Sequence, residues 1–181
     1  MSELAQITVA DVITPTGEIK HEIHLRAALC KRRIPRSVWL SQSAKSMIQE
    51  WVDYRKSRNL ATTFDDTYQS LNSRSKLILS NRGSSYSMKR KTRINQAGQT
   101  VNYLACDALE FMIRNIYKRS GLKGCSSHSG RRSYGTNMNA QGVELSQIQR
   151  ALGHKEPSMS LEYIDISSAQ LSKAAELSFW L

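Results

Sequence analysis

The sequence predicts a mainly α-helical domain with a small antiparallel β-sheet near its N-terminus. Apolar and polar residues alternate along residues 18–27, which is the period of a strand. Apolar residues recur every three or four positions along residues 44–52 and again along residues 104–116, which is the period of an amphipathic helix. Because 181 residues is the size of one ordinary domain, we expect a single domain over residues 1–181.

The predicted sheet occupies residues 11–40. Its first strand follows a turn at Pro15, Thr16 and Gly17, and its second strand runs from Ser37 to Leu40. A basic stretch, residues 31–36, precedes the second strand. The two strands and this basic connection are therefore expected to form a hairpin.

The next element is a helix that begins at Ser41 or Ser43, either of which is a suitable N-cap. Its apolar stripe contains Ala44, Met47, Ile48, Trp51 and Val52. Residues 57–99 are polar, so we expect loops there, with one short buried segment at Leu77-Ile78-Leu79 and an exposed basic arm at residues 89–93.

Four more helices are predicted in the second half of the chain. A long helix is expected over residues 100–119, ended by Gly121, and a second over residues 130–140. Gly142 breaks that helix, and a short one follows from Leu145 to Leu152, stopped by Gly153. Pro157 starts a new segment, and residues 168–177 form the last predicted helix.

The charge balance favours a polyanionic partner. The chain carries 26 lysine and arginine residues against 15 acidic residues, a formal net charge of +11. We therefore expect nucleic acid to be the leading candidate partner. The basic residues expected to contact it are Arg32, Arg33, Arg36, Lys89, Arg90, Lys91 and Arg132.

The same sequence argues against a membrane, an exported or a metal-binding protein. It has no apolar run long enough to cross a bilayer and no export signal in residues 1–10, so a cytoplasmic protein associated with the nucleoid is expected. Cys30, Cys106 and Cys125 are isolated, with no CxxC pair. We expect no disulfide framework, no metal and no cofactor.

Chemistry is indicated by an ordered set of motifs near the C-terminal end. His128-Ser129-Gly130-Arg131 comes first, His154 follows Arg131 by 23 residues within Leu152-Gly153-His154, and Tyr163 follows His154 by nine. This set resembles the C-terminal motif of the tyrosine recombinase, or phage integrase, family, in which HxxR opens a helix. That resemblance implies the catalytic-domain fold of these DNA breaking and rejoining enzymes.

The resemblance extends toward the N-terminus. Residues 31–40 look like the family's β-hairpin, which makes Lys31 the candidate catalytic lysine. Ser2-Glu3-Leu4 looks like part of an R-x-S-E-L pattern whose arginine is the family's first catalytic residue. That arginine would directly precede Met1. We therefore expect an N-terminally truncated catalytic domain without the separate DNA-binding domain that precedes it in the family.

The resemblance also implies a reaction and a role for each residue. Tyr163 would attack the scissile phosphate and form a 3′-phosphotyrosine, with His128 helping to accept its proton. Arg131 would hold the phosphate with its planar guanidinium, and His154 would donate a hydrogen bond to it. Lys31 would protonate the departing 5′-oxygen. Site-specific recombination or integration by a homo-oligomer, a tetramer on paired sites, is the implied function.

Several other interpretations are compatible with these residues. Tyr163 taken alone could be a packing residue, and Cys125, His128 and His154 could suggest a zinc site that lacks its fourth ligand. A type IB topoisomerase also uses a tyrosine nucleophile. Without the first arginine, the chain could instead be a catalytically impaired DNA-binding remnant of an integrase. The apolar end, residues 179–181, could cap its own core or dock on a neighbouring protomer.

Overall fold

The computed structural model describes residues 1–30, 33–95 and 97–153. The predicted helix over residues 168–177, the segment beginning at Pro157 and the apolar end all lie outside the described residues. The chain divides into two compact units, Met1–Asn115 and Ile116–Leu181.

The first unit contains most of the described secondary structure, and its last helix, α4, runs on into the second unit. The elements in chain order are α1 (Ser2–Gln6), α2 (Val9–Val12), β1 (Glu22–Leu25), β2 (Arg36–Trp39), α3 (Gln42–Ser57), a 3₁₀ turn (Thr67–Ser70), β3 (Lys89–Ile94), β4 (Thr100–Ala105) and α4 (Asp107–Arg119). The second unit adds α5 (Ser129–Ala140) and α6 (Leu145–Leu152). No helix in the described part of the chain is long and apolar enough to cross a membrane.

The predicted sheet near the N-terminus is confirmed, with shorter strands than expected. Strands β1 and β2 pair antiparallel, with Ile23 opposite Val38 and Leu25 opposite Arg36. Ile23 and Leu25 are buried, whereas Glu22 and His24 between them are exposed, as the alternation predicts. The sheet therefore turns one apolar face to the core.

The main core of the first unit lies between this sheet, helix α3 and the segment around residue 77. Its buried members are Val9, Val12, Ile13, Ile23, Leu25, Cys30, Val52, Leu71 and Leu77. A smaller cluster contains Ala5, Cys106 and Leu109. Leu77 and Leu79 are both buried, which confirms the predicted buried segment.

Helix α3 is confirmed, and its N-cap is Ser41. The Ser41 side chain accepts a hydrogen bond from the main-chain nitrogen of Ala44 at 3.2 Å. Val52 is fully buried, and Trp51 Nε1 donates to the Leu77 carbonyl at 2.8 Å. Met47, however, is 66% exposed. The buried stripe is therefore narrower than the apolar pattern predicts.

Arg55 continues the buried stripe of α3, and the sequence analysis missed it. Its side chain is fully buried, and it donates hydrogen bonds to the carbonyls of Leu60, Lys76 and Leu77 and to Ser75 Oγ. Burial lowers the pKa of the guanidinium. The sequence does contain a signal for this burial. Position 55 follows Trp51 by four and Val52 by three, so it lies on the same face of the helix as these two residues.

The segment that Arg55 holds is also bonded to the beginning of the chain. Leu77 N donates to the Ile7 carbonyl at 2.8 Å, and Val9 N donates to the Ser75 carbonyl at 3.0 Å. Lys76 Nζ reaches the Gln6 carbonyl at 2.9 Å. Residues 6–9 are therefore fixed by partners about seventy positions later.

The prediction of one helix over residues 100–119 is wrong for residues 100–106. Residues 100–105 form β4, which pairs with β3, and only the part from Asp107 onward is helical. Val101, Tyr103 and Ala105 are half-buried, whereas Thr100, Asn102 and Leu104 are exposed, which is the period of a strand. The predicted exposed arm at residues 89–93 is likewise a strand of this hairpin.

The two helices of the second unit agree with their predicted bounds to within one residue. Gly142 follows α5 with φ of +78°, and Gly153 caps α6 with φ of +65°. Both angles lie in the left-handed region, where glycine carries no steric penalty. Gly142 and Gly153 therefore end the two helices where the sequence predicts.

Candidate active site

The site begins at the start of α5, where a run of short polar side chains shapes the backbone. Ser126 N donates to Ser129 Oγ at 2.9 Å, and His128 N donates to Ser126 Oγ at 3.2 Å. His128 is the N-cap residue of α5, and its imidazole is exposed. The imidazole Nδ1 lies 3.2 Å from Ser127 Oγ. The candidate proton acceptor therefore lies at the accessible end of this helix.

Arg131 lies three positions after His128, on the same face of α5. Its Nη2 atom donates a hydrogen bond to the carbonyl of Leu152, the last residue of α6. Leu152 is buried, and the next residue, Gly153, caps the helix. This bond joins the HxxR motif to the Leu-Gly-His motif, so two predicted parts of the site are adjacent in the fold.

The start of α5 is suited to a negatively charged group. A helix N-terminus carries a partial positive charge, and a guanidinium presents a planar fork that matches two phosphate oxygens. Arg131 supplies that fork one turn inside the helix and is only half-buried. Together these groups can hold a phosphate.

A polar depression lies along α5 beside these residues. It is open to solvent, and Arg132, a predicted DNA contact, is exposed at its wall. The residues that line it are Ser129, Arg132, Ser133, Thr136 and Asn137. Hydroxyl, amide and guanidinium groups of this kind are the usual partners of DNA phosphates.

The predicted basic contacts of the first unit fall into two groups. Arg36 pairs with Glu3, with Nη2 to carboxylate oxygen at 2.6 Å, and Lys91 pairs with Asp107 at 2.7 Å. The hydrogen bond that Lys91 Nζ donates to the Asp107 carboxylate raises the pKa of Lys91. Arg33, Lys89 and Arg90 are exposed.

Three of the predicted catalytic residues lie outside the described residues: Lys31, His154 and Tyr163. Arg32 lies outside them as well. The described residues on either side of position 31 belong to the connection between β1 and β2, as the predicted hairpin requires. Within the described ranges, no cluster of three histidine, cysteine or acidic side chains could hold a metal ion.

Comparison with known families decides the classification. The sequence model of the phage integrase family matches residues 1–170. The chain belongs to the phage integrase family. The family resemblance predicted from the HxxR, Leu-Gly-His and tyrosine spacing is therefore confirmed.

Solved structures with the same fold include two recombinases and a transposon integrase. The XerA recombinase matches this integrase-family chain with a TM-score of 0.64 at 19% sequence identity. The alignment covers 97% of this chain and 52% of the XerA chain. XerH site-specific recombinase matches with a TM-score of 0.58 at 21% sequence identity, in a post-cleavage complex with a palindromic difH substrate. That alignment covers 97% of this chain and 40% of the XerH chain. The Tn1549 transposon integrase, in complex with transposon right end DNA, matches with a TM-score of 0.59 at 15% sequence identity. That alignment covers 99% of this chain and 54% of the Tn1549 integrase chain.

These similarities establish the fold of the integrase-family chain. The predicted fold class, helix-rich with small antiparallel sheets, is confirmed by them. The chain spans about half the length of XerA and of the Tn1549 integrase, and less of XerH. A comparison with curated proteins found no match.

Proposed function

We propose that this chain is the catalytic part of a site-specific recombinase that cuts and rejoins duplex DNA through Tyr163. The observation that carries the proposal is the hydrogen bond from Arg131 to the Leu152 carbonyl, in a chain that belongs to the phage integrase family. This bond supports the proposal because it joins Arg131 of HxxR to the end of α6. The candidate His154 follows that end by two positions and Tyr163 by eleven.

The proposed reaction is a transesterification. Tyr163 Oη forms a bond to the scissile phosphorus, and the bond from phosphorus to the 5′-oxygen breaks. His128 helps to accept the tyrosine proton, and Lys31 gives a proton to the departing 5′-oxygen. Arg131 and His154 stabilise the charge that develops on the nonbridging oxygens. Rejoining reverses these steps, and since the phosphotyrosine conserves the bond energy, the reaction uses no cofactor.

Double-stranded DNA is the proposed partner. The XerH and Tn1549 structures contain DNA, and the net charge of +11 on this chain fits a polyanion. We assign the phosphate contacts to the basic residues predicted from the sequence, with Arg132 in the polar depression beside Arg131. For Arg36 and Lys91, phosphate must compete with Glu3 and Asp107.

Assembly and location follow from the same function. Exchange between two duplexes requires four strand cleavages and therefore four tyrosines, which supports a homo-tetramer on paired sites. Because the substrate is chromosomal or element DNA, we place the protein in the cytoplasm with the nucleoid. The R-x-S-E-L resemblance assigns an arginine to the position before Met1, and that arginine would contribute to catalysis.

The test is to trap the covalent intermediate. The 181-residue chain, and a version with arginine added before Met1, are each incubated with a library of nicked, randomised duplexes and then denatured. We expect DNA to stay attached to at least one of the two proteins and to be lost in Tyr163→Phe. Arg131→Lys should lower the yield of covalent protein–DNA adduct about 10²- to 10³-fold, because the planar guanidinium that is positioned to bind the phosphate is lost.

Arg119→Lys is the matched control, since Arg119 is exposed at the end of α4 and lies outside the motif. Its yield should equal that of the parent protein. Attachment that persists undiminished in Tyr163→Phe would refute the assigned nucleophile. Proteins of both lengths that bind duplex DNA and never become attached would establish the alternative, a DNA-binding remnant without catalysis.

A further inference from the structure

The hairpin of β3 and β4 has two chemically different faces. Residues directly opposite each other in an antiparallel pair point to the same side, and Arg90 faces Leu104 while Thr92 faces Asn102. The side that contains them, here called the outer face, consists of Arg90, Thr92, Ile94, Thr100, Asn102 and Leu104. All six are exposed, Ile94 by 73% and Leu104 by 50%.

The opposite, inner face attaches the hairpin to the rest of the first unit. Lys91 forms its ion pair with Asp107 at the start of α4, and within the hairpin the Arg93 guanidinium lies over the Tyr103 ring at 5.8 Å from the centroid. Val101, Tyr103 and Ala105 on this side are half-buried. The contacts of the inner face therefore leave the outer face directed to solvent.

We propose that the outer face reads base edges in the major groove of DNA, with Arg90 and Asn102 as the specificity-determining residues. The inference rests on the proposed function and adds a sequence-reading surface to it. The major groove admits a two-stranded β-ribbon. Arginine pairs with guanine, asparagine with adenine and threonine with either, and apolar side chains contact the thymine methyl group. The outer face contains each of these four types.

Size and charge also favour this occupant. Each strand has six residues and is therefore about 20 Å long, and the pair is about 10 Å wide, which fits a groove of about 12 Å. Lys89, at the first position of β3, lies opposite Ala105 on the inner face and is exposed, so it adds positive charge to the hairpin without facing the bases.

A second copy of the chain is the competing occupant, because Ile94 and Leu104 are apolar. Four of the six residues of the outer face are nevertheless polar or charged. The chemistry of this face therefore favours DNA.

The test is a non-covalent selection from randomised, intact duplexes, which needs no cleavage. Wild-type protein, Arg90→Ala, Asn102→Ala and the control Lys89→Ala are compared after thermal melting has shown that each is folded. We expect Arg90→Ala and Asn102→Ala to lose a guanine and an adenine preference, respectively, by roughly 5- to 100-fold. Lys89→Ala should weaken binding to all sequences and leave the base preference as in wild type.

Base preferences that stay the same in Arg90→Ala and Asn102→Ala would overturn the inference. So would a wild-type protein whose oligomer dissociates on Ile94→Ser or Leu104→Ser while its base preference is kept, since the face would then join two copies. Neither result depends on the Tyr163 adduct, so the inference and the proposed chemistry can fail separately.

Discussion

Arg36 Nη2 lies 2.6 Å from a carboxylate oxygen of Glu3, and both side chains are more than two-thirds shielded from solvent. The pair joins α1 to β2 across 33 positions of sequence. Arg36 is a proposed DNA contact, so phosphate and Glu3 compete for one guanidinium. Glu3 is expected to weaken the attraction of this surface for DNA.

Removing the Glu3 charge should therefore change the salt dependence of DNA binding. In Glu3→Gln, Arg36 is released to one additional phosphate, and the slope of log affinity against log salt should steepen by about 0.9. Titration of a labelled duplex at several salt concentrations measures this slope. Glu50→Gln removes the same charge from an exposed position of α3 and should change the slope less. Equal slopes in wild type and Glu3→Gln would show that Arg36 does not reach phosphate.

Arg55 should be important for stability. Arg55→Met keeps most of the side-chain length but leaves the carbonyls of Lys76 and Leu77 without their guanidinium donor, so the free energy of unfolding should fall by about 3 kcal/mol. Urea denaturation with an unchanged m-value is the measurement. Lys56→Met, on the exposed side of the same helix, should stay within about 0.5 kcal/mol of wild type. A similar small loss in Arg55→Met would mean that other donors replace the guanidinium.

Asp11 should make stability depend on pH at acidic values. Burial alone would raise its pKa, but hydrogen bonds from Thr8 N and Oγ1, together with the charges of Arg26 and Lys20, outweigh burial and lower the pKa. The charged carboxylate therefore stabilises the folded state above the unfolded pKa of about 3.9, and this contribution is lost as pH falls through the folded-state pKa.

Asp11→Asn tests this contribution. The variant should be less stable than wild type by about 1 kcal/mol at neutral pH, the usual value of a capping interaction. Urea denaturation at several pH values should show the difference closing as the pH falls below about 4. A difference that stays constant down to the acid limit of folding would mean that the shape of Asp11, and not its charge, stabilises α2.

The two glycines that end α5 and α6 form a matched pair. Alanine at Gly142 or Gly153 must adopt a positive φ, which costs about 1 kcal/mol at either position. Gly153 follows the carbonyl that accepts from Arg131, whereas an added Cβ at Gly142 meets nothing within 4 Å. Gly153→Ala should therefore lower the yield of covalent adduct more than Gly142→Ala does. Equal yields at equal stability would show that the cap does not position the motif.

Local signals explain what the sequence could predict. Helices α5 and α6 combine a local pattern with a following glycine, and Ser41 is a local cap, so each could be located from its neighbours. The HxxR and Leu-Gly-His motifs could be recognised from their order and spacing, and the structure joins them by the hydrogen bond from Arg131 to the Leu152 carbonyl.

Residues 100–105 show where local signals fail. Leu104 fits the spacing of the helical stripe that continues through Ala108 and Met112, yet it is 50% exposed on a strand. The strand forms because β3 pairs with it, and β3 is a basic segment with no alternation of its own. Periodicity within one segment does not reveal a partner in another.

The partners of Arg36 and Arg55 could not be predicted for the same reason. Glu3 is 33 positions from Arg36, and Ser75 is 20 positions from Arg55. These pairs exist only after distant segments have packed, so no local pattern specifies them. Basic residues that appear equivalent in the sequence thus differ in burial and in partner once the chain has folded.

The bonds between residues 6–9 and residues 75–77 have a consequence for synthesis in the cell. A ribosome adds about 5 to 20 residues per second, so Gln6 waits roughly 4 to 14 s for Lys76 to be made. During that time the main-chain groups of Ile7 and Val9 lack their hydrogen-bond partners at Leu77 and Ser75, so this segment can be bound by chaperones. We expect substitution of Lys76, whose side chain donates to the Gln6 carbonyl, to reduce the yield of protein from cells more than it reduces the stability of the purified protein.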